Sequence, residues 1–482
     1  MFVLLLACNN PTLDTSTPDT SDTSTDTDTG TVEGLCAADP SVLDLEDAAS
    51  IIISNTDVDE LNLGVGVASC DLDGDGHEDL LVSGSHGIER RGRIGVFYGP
   101  ATDWPRDMSL DQADSLIQGS APYTYLGYSV ECGDLDGDGF GDIVAANAMV
   151  QSGTIETHYG LHIWYGSSER LPASADEGSA AATLSYDYGA KSTNTLFGMR
   201  VEVADLDQDG LAELALAVNP GTFYTDGQDE VIIVEGGRIE SGALEDQAWF
   251  MKASEESRLN LHAGALSESE TLLMTDNRNA GKARFTILKD PMSSEPGGAI
   301  AANAWLNLTR TEGDWTGTGV ILPTQDGALF VAGQIDDGLG SIAVLDQLQE
   351  GRADASDMTQ TGGRERSVYD NMRLVPDYNG DGVADLGVRF LKDYKEDQYI
   401  ILDGSKLTTP GLSHEELLLD TFVLNIAPST FGTDLGFADL DGDGCSDFFH
   451  GDNQSTPGSS NYWGRGRVLI VLSSDRSNEK EN

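Results

Sequence analysis

The chain is poor in positive charge: 27 Lys and Arg stand against 82 Asp and Glu, giving a net charge of -55, and no Lys or Arg precedes Arg90. Such acidity opposes binding to nucleic acid or to an anionic membrane surface. Cysteines are few, five in 482 residues. None forms a CxxC pair, which argues against a zinc site or thioredoxin-like chemistry. The seven histidines are scattered, with no HExxH or GxSxG arrangement, and no glycine-rich phosphate loop opens a helix. His86, His158, His162 and His450 therefore read as surface or packing residues. Beyond the first residues, no stretch is long and apolar enough to span a bilayer. What remains is 39% hydrophobic with 56 glycines, the composition of a turn-rich β protein long enough to bury a large core.

The abundant carboxylates are ordered. In Asp134-Leu-Asp136-Gly-Asp138-Gly139-Phe140-Gly-Asp142, they fall at relative positions 1, 3, 5 and 9, with glycine at 6 and a free backbone carbonyl at 7. A short loop wraps oxygen ligands around a hard cation in this way, and calcium is the natural guest. Four carboxylates so close repel one another unless a cation lies between them. The pattern recurs at Asp71, Asp73, Asp75, His77 (carbonyl) and Asp79, and at Asp205, Asp207, Asp209, Leu211 (carbonyl) and Glu213. Two further copies are Asp377, Asn379, Asp381, Val383 (carbonyl) and Asp385, and Asp439, Asp441, Asp443, Cys445 (carbonyl) and Asp447. About five Ca2+ sites are therefore expected. An EF-hand would carry its last ligand at position 12 and run into a helix. Here the loop closes at position 9 and runs into Asp79-Leu-Leu-Val, Asp142-Ile-Val-Ala or Asp447-Phe-Phe, which are short strands. The metal is expected in the turn of a β-hairpin.

Loops beginning at 71, 134, 205, 377 and 439 are separated by 63, 71, 172 and 62 residues. A period near 60 leaves room for two more units in the long gap. Leu272-Leu-Met-Thr with Gly281 to Leu288 reads as one, its acidic loop reduced to Ser267-Glu-Ser-Glu270. Leu329-Phe-Val-Ala-Gly with Gly340 to Leu345 reads as the other, its loop shortened to Pro323-Thr-Gln-Asp-Gly327. The first unit reads as strands Gly64 to Ser69, Asp79 to Gly84, Gly92 to Gly99 and Ser115 to Gly119. Four antiparallel strands per unit make a blade, so the expected fold is an all-β, seven-bladed β-propeller with calcium-binding hairpin loops. The last unit ends after its third strand, Arg467 to Leu472, whereas Ala49 to Ser54 is a strand without a unit. This N-terminal strand is expected to close the last blade.

These residues resemble the FG-GAP repeat family, the propeller of integrin alpha chains and of many bacterial surface proteins. The likeness covers roughly residues 45 to 475; the acidic loops carry it, and the dipeptides Phe197-Gly198 and Phe431-Gly432 match the family name. The resemblance implies calcium in the hairpin turns, with the ligand roles assigned above. It implies a fold rather than an activity.

At the N-terminus, Leu5-Leu-Ala-Cys8 resembles the lipobox of bacterial lipoproteins, which implies a signal segment over 1–8 and lipidation of Cys8. Residues 9–40, dominated by Thr, Ser and Asp, read as a disordered, self-repelling tether. The propeller then spans 41–475 and a polar tail 476–482. The expected location is the outer membrane or cell surface, or the secreted fraction, with membrane contact only through the lipid. Export permits disulfides. Ring closure would make Cys36 and Cys445 neighbours, while Cys70 and Cys132 read equally as buried free thiols or as paired.

In a blade, the first and third turns share one face, so calcium marks that face and the other carries the variable loops. Those include Asn147 to Gly160, Asn219 to Glu230, Gly451 to Gly466 with Tyr462 and Trp463, and the link Gly119 to Tyr125. Exposed aromatics suit contacts with a protein or glycan partner. A cell-surface binding or adhesion module is thus expected. The alternatives are a glycan-acting enzyme with a site at the loop face or channel mouth, and a structural envelope protein.

Overall fold

The computed structural model describes residues 42–54, 62–147, 160–186, 196–207, 209–219, 230–252, 259–266, 269–276, 284–289, 304–309, 314–324, 327–336, 339–346, 348–354, 358–365, 368–392, 396–423, 434–453 and 466–473. The N-terminal segment with Cys8 and Cys36, and most of the variable loops with His158, Tyr462 and Trp463, lie outside these residues.

Among the described residues hydrogen bonding builds seven sheets of four or five strands, in a propeller arrangement. The first sheet holds Leu63–Cys70, Asp79–Gly84, Arg93–Phe97 and Ser115–Gln118. The second holds Leu126–Gly133, Asp142–Asn147, Gly160–Trp164 and Ala182–Ser185. In both, successive strands pair antiparallel, as alternation and glycine boundaries require. Side chains alternate across a strand, and here both faces are covered. Leu80 and Val82 pack toward the last sheet, whereas Leu81 packs toward the second. Repeated around the molecule, this places the buried apolar residues in seven clusters, each between two successive sheets.

The join lies where the sequence places it. Ile51–Ser54 pairs antiparallel with Arg467–Val471, with Ile51 opposite Ile470 and Ile53 opposite Val468. Ile53 is fully buried, between the last sheet and the first. Without this strand, Arg467–Val471 would present an unpaired sheet edge.

Two features depart from the sequence reading, and a third decides between alternatives it left open. First, five sheets gain a fifth strand from a neighbouring unit, paired parallel to the outer strand. Examples are Asp107–Ser109 on Ile51–Ser54, Ser174–Asp176 on Ser115–Gln118, and Val42–Asp44 on the outer strand Leu418–Val423 of the sixth sheet. These strands have two to four residues, too short for alternation to reveal them. Second, in the units without an acidic loop, the strands extend into the expected loops. Leu259–Leu266 runs to within two residues of Ser269–Asp276, and Asp314–Thr324 to within two of Gly327–Asp336. Ser269, Glu270, Pro323, Thr324 and Gly327 are therefore strand residues. Third, Cys70 and Cys132 are not free thiols. They form a disulfide with Cα atoms 6.2 Å apart, joining the inner strands of the first two sheets. Cys445 is also disulfide-bonded. Its expected partner, Cys36, lies outside the described residues.

The Cys70–Cys132 bridge spans a sequence separation of 62, one repeat. In the chain-entropy model, a loop of that length contributes about 4 kcal/mol. Replacing both cysteines by serine is expected to lower unfolding stability by about 2–4 kcal/mol. Denaturant unfolding of the two proteins measures this; equal midpoints would show that the bridge adds nothing.

Candidate metal centres

In the loop from Asp134 to Asp142, the backbone turns tightly through Gly137 and Gly139, at φ 75° and 90°. A side chain is strained in that conformation. The turn points successive N–H groups at the Asp134 carboxylate, whose oxygens accept from Gly137, Asp138 and Gly139 at 2.8, 3.1 and 2.9 Å. Asp138 accepts from Phe140 N at 3.1 Å. Asp142, at position 9, is fully buried. Its two oxygens accept from Leu135 N and from Gly166 N, both at 2.8 Å. The loop is thereby tied to the residue that follows its own third strand.

The other four loops repeat this geometry. Asp79 accepts from Leu72 N and Gly99 N, Glu213 from Leu206 N and Gly236 N, Asp385 from Tyr378 N and Gly404 N, and Asp447 from Leu440 N and Ser473 N. In four loops, positions 1, 3 and 9 each bring an oxygen to within 4.8 Å of the other two. These triads are Asp71, Asp73, Asp79; Asp134, Asp136, Asp142; Asp205, Asp207, Glu213; and Asp439, Asp441, Asp447. Oxygens that coordinate one calcium at 2.3–2.6 Å lie at most about 5 Å apart, so each triad fits a single ion. The position-5 side chains Asp75, Asp138, Asp209 and Asp443 stand outside the triads and accept from the position-7 N–H. In the fifth loop, position 3 is Asn379, which accepts from Asp381 N at 2.9 Å. That loop has the hydrogen bonds of the others but one carboxylate fewer. The carboxylates are therefore held by backbone donors as well as by any cation.

One observation points beyond the loop's own bonding. The Asp136 side chain is 6% exposed, and its Oδ1 is buried without a hydrogen-bond partner. An orphaned carboxylate oxygen is costly unless something positive meets it. Its Oδ2 accepts from Arg238 Nη1 at 2.8 Å, and the guanidinium lies over the Tyr165 ring, 4.5 Å from its centroid. The preceding loop has the same device. Arg170 Nε donates to Asp73 Oδ2 at 2.5 Å, and its guanidinium lies 4.4 Å over Tyr98. In both cases the arginine comes from the following unit. Sequence reasoning missed both, along with Glu78, whose Oε2 is buried without a partner. The traceable signal was Phe97-Tyr98-Gly99 against Trp164-Tyr165-Gly166, the same ending on two third strands; no spacing rule reaches the arginines or Glu78.

Burial pushes the position-9 carboxyls far above the usual carboxylate range, and the other loop carboxylates add to it, although backbone N–H donors oppose the shift. Asp79, Asp142 and Glu213 reach about 7, and Asp385 and Asp447 about 8. Burial, then Asp71 and Asp79, pushes Glu78 to about 7 as well. His86, His414 and His450 are buried, which lowers them to about 4, 4 and 3 and keeps them neutral. With His162, also buried, they are packing residues.

On the molecular axis, Glu131, Glu202, Asp434 and Arg373 line a cavity of about 120 Å³ among inner strands. Burial, then the carboxylates of Glu202 and Asp434, push Glu131 well above its ordinary value. These residues were not singled out in the sequence because they come from four separate units.

No family model matches the chain. It is similar to the phosphatidylinositol-glycan-specific phospholipase D of Rattus norvegicus, 29% identical over 161 residues, which is 32% of this chain and 18% of that protein. It is similar to the Mus musculus protein of the same name, 28% identical over 208 residues, 39% of this chain and 24% of that protein. The chain thus spans a quarter or less of the length of these curated relatives.

In the metal-free state, a carboxyl whose folded pKa lies above its unfolded value binds more protons folded than unfolded, so stability falls as pH rises. With divalent cations chelated by EDTA, stability is expected to decline between pH 6.5 and 8, above the ordinary histidine value, where the buried neutral histidines no longer contribute a slope and the position-9 carboxyls, at about 7 to 8, still lose protons. Urea midpoints across that range measure it. A midpoint that rises through the window would contradict the burial assigned to these carboxyls.

Proposed function

We infer that the seven sheets act as one ring of seven blades, stapled on one face by calcium and presenting the other face to a protein or glycan partner. The observation that carries the metal is the set of four carboxylate triads, with the orphaned Oδ1 of Asp136. Calcium suits them better than magnesium because the loops offer several carboxylates and carbonyls in an irregular cage. Magnesium prefers a smaller octahedral site and keeps its waters. The bound ion would supply charge neutralisation to each hairpin turn. The residues that would hold it are positions 1, 3, 5 and 9, with the position-7 carbonyl, in the loops beginning at 71, 134, 205, 377 and 439.

Rigid stapling of one face suits a platform whose opposite loops recognise a ligand, as in the FG-GAP proteins that the loops resemble. In this reading the acidic tether and a lipid on Cys8 hold the ring at the cell surface. Supporting it on the described part of that face, Tyr123 and Ile88 stand exposed beside each other's loops, where Tyr123 N donates to Glu89 O at 2.8 Å. Thermal unfolding of the full chain in millimolar calcium and in EDTA tests the metal. The expected outcome is a large calcium-dependent rise in midpoint, about 2.7 kcal/mol for each site held at a hundred times its Kd, with a stoichiometry near five. No rise would sink the reading.

The axial cavity favours a second reading, an enzyme. Glu131, whose proton affinity is raised by burial and by its acidic neighbours, stands in the same cavity as Glu202 and Asp434, and carboxyls with separated proton affinities are the pairing that general acid–base chemistry uses. The phospholipase relatives supply a substrate to try, a phosphatidylinositol-glycan. In this reading the full chain hydrolyses it and Glu131→Gln loses at least about a hundredfold of the rate. Absence of turnover by the unaltered chain counts against an enzyme of that class.

A further inference from the structure

Four of the acidic loops touch one another, through recurring positions. The position-7 side chain of one loop covers the position-4 glycine of the loop before it. A Cβ on Gly74 would stand 2.5 Å from the Phe140 ring, one on Gly137 2.4 Å from Leu211 Cδ2, and one on Gly442 3.0 Å from the His77 ring. The backbone follows the side chains. Gly141 N donates to Asp71 O at 2.7 Å and Ala212 N to Asp134 O at 3.0 Å, in each case position 8 of one loop to position 1 of its predecessor. A second donor from the following unit reaches position 2. These bonds are Ser167 N to Leu72 O at 3.1 Å, Gly237 N to Leu135 O at 2.7 Å and Ala101 N to Leu440 O at 2.6 Å. Arg170 and Arg238 complete the contact by gripping the position-3 carboxylates Asp73 and Asp136.

We propose that the loops beginning at 439, 71, 134 and 205 form one interlocked arc that loads its cations cooperatively, each filled loop raising the affinity of the next. The inference rests on the metal reading above. Its physical basis is that position 7 does two jobs: its carbonyl is an expected ligand in its own loop, and its side chain is seated on the preceding loop. An ion that fixes one loop therefore fixes a ligand-bearing residue of its neighbour, and the neighbour's ion meets a smaller ordering cost. The arc has a defined end. A Cβ on Gly380, position 4 of the loop at 377, would have nothing within 4 Å. That loop stands outside the interlock and serves as an internal control.

Calcium titration of the full chain by calorimetry tests this, with Asp136→Asn inside the arc, Asp377→Asn outside it, and Leu211→Ala, which alters an inter-loop contact without changing a ligand atom. Circular dichroism confirms that each variant is folded. The expected result is a Hill slope above 1 for the unaltered chain. Asp136→Asn should lose one site and weaken the remaining arc sites by about tenfold. Asp377→Asn should lose one site and leave the others unchanged, and Leu211→Ala should keep the full stoichiometry with a Hill slope nearer 1. If Asp136→Asn and Asp377→Asn behave alike, and Leu211→Ala matches the unaltered chain, the sites are independent and the proposal is overturned while the metal reading stands. If the unaltered chain takes up no calcium, the metal reading falls and the arc with it.

Discussion

The buried carboxylate at position 9 of each acidic loop is the constraint on which the rest of the acidic face depends. Asp79, Asp142, Glu213, Asp385 and Asp447 each accept two backbone N–H groups, one from position 2 of the loop and one from just beyond the third strand. One oxygen thus closes the turn, and the other fixes the turn to its sheet. Charge-assisted bonds of this kind are among the stronger ones, but their desolvation is also expensive. The position-9 group gains geometry from its backbone donors, at the cost of a buried charge that raises its proton affinity.

That arrangement explains why the loops and the sheets are not separable features. A propeller buries both faces of every sheet, so strands inside a sheet carry apolar residues at successive positions, as in the second strands Asp79-Leu-Leu-Val and Asp142-Ile-Val-Ala. The acidic turn is where such a hairpin meets water. Its backbone donors need acceptors there, and the carboxylates supply them. In the two units whose turns have lost the pattern, Leu259–Leu266 with Ser269–Asp276 and Asp314–Thr324 with Gly327–Asp336, longer strands with short connections take over the same task.

The acidity of the chain also acquires a local meaning. Twenty of its 82 acidic residues belong to the five loops, so about a quarter of them are gathered on one face. The arginines that reach that face, Arg170 and Arg238, are stacked on Tyr98 and Tyr165. The stacking aims each guanidinium, still largely in solvent, at a neighbouring unit's carboxylate. The axial cavity gathers a different set of charges, drawn from inner strands far apart in sequence.

The sequence by itself determined the hairpin loops, their period and the closing strand, because each is a local pattern: acidic side chains every second residue, glycine at the turn, alternation in the strands. Ile51 to Ser54 was legible as the missing strand since the last unit lacked one. Only the tertiary structure decided what meets across units. It joined Cys70 to Cys132, set Phe140 on Gly74 and Leu211 on Gly137, brought Arg238 to Asp136, and gathered Glu131, Glu202 and Asp434 around Arg373. Those pairings depend on the angle between successive sheets, which side-chain packing sets and which no spacing along the chain encodes.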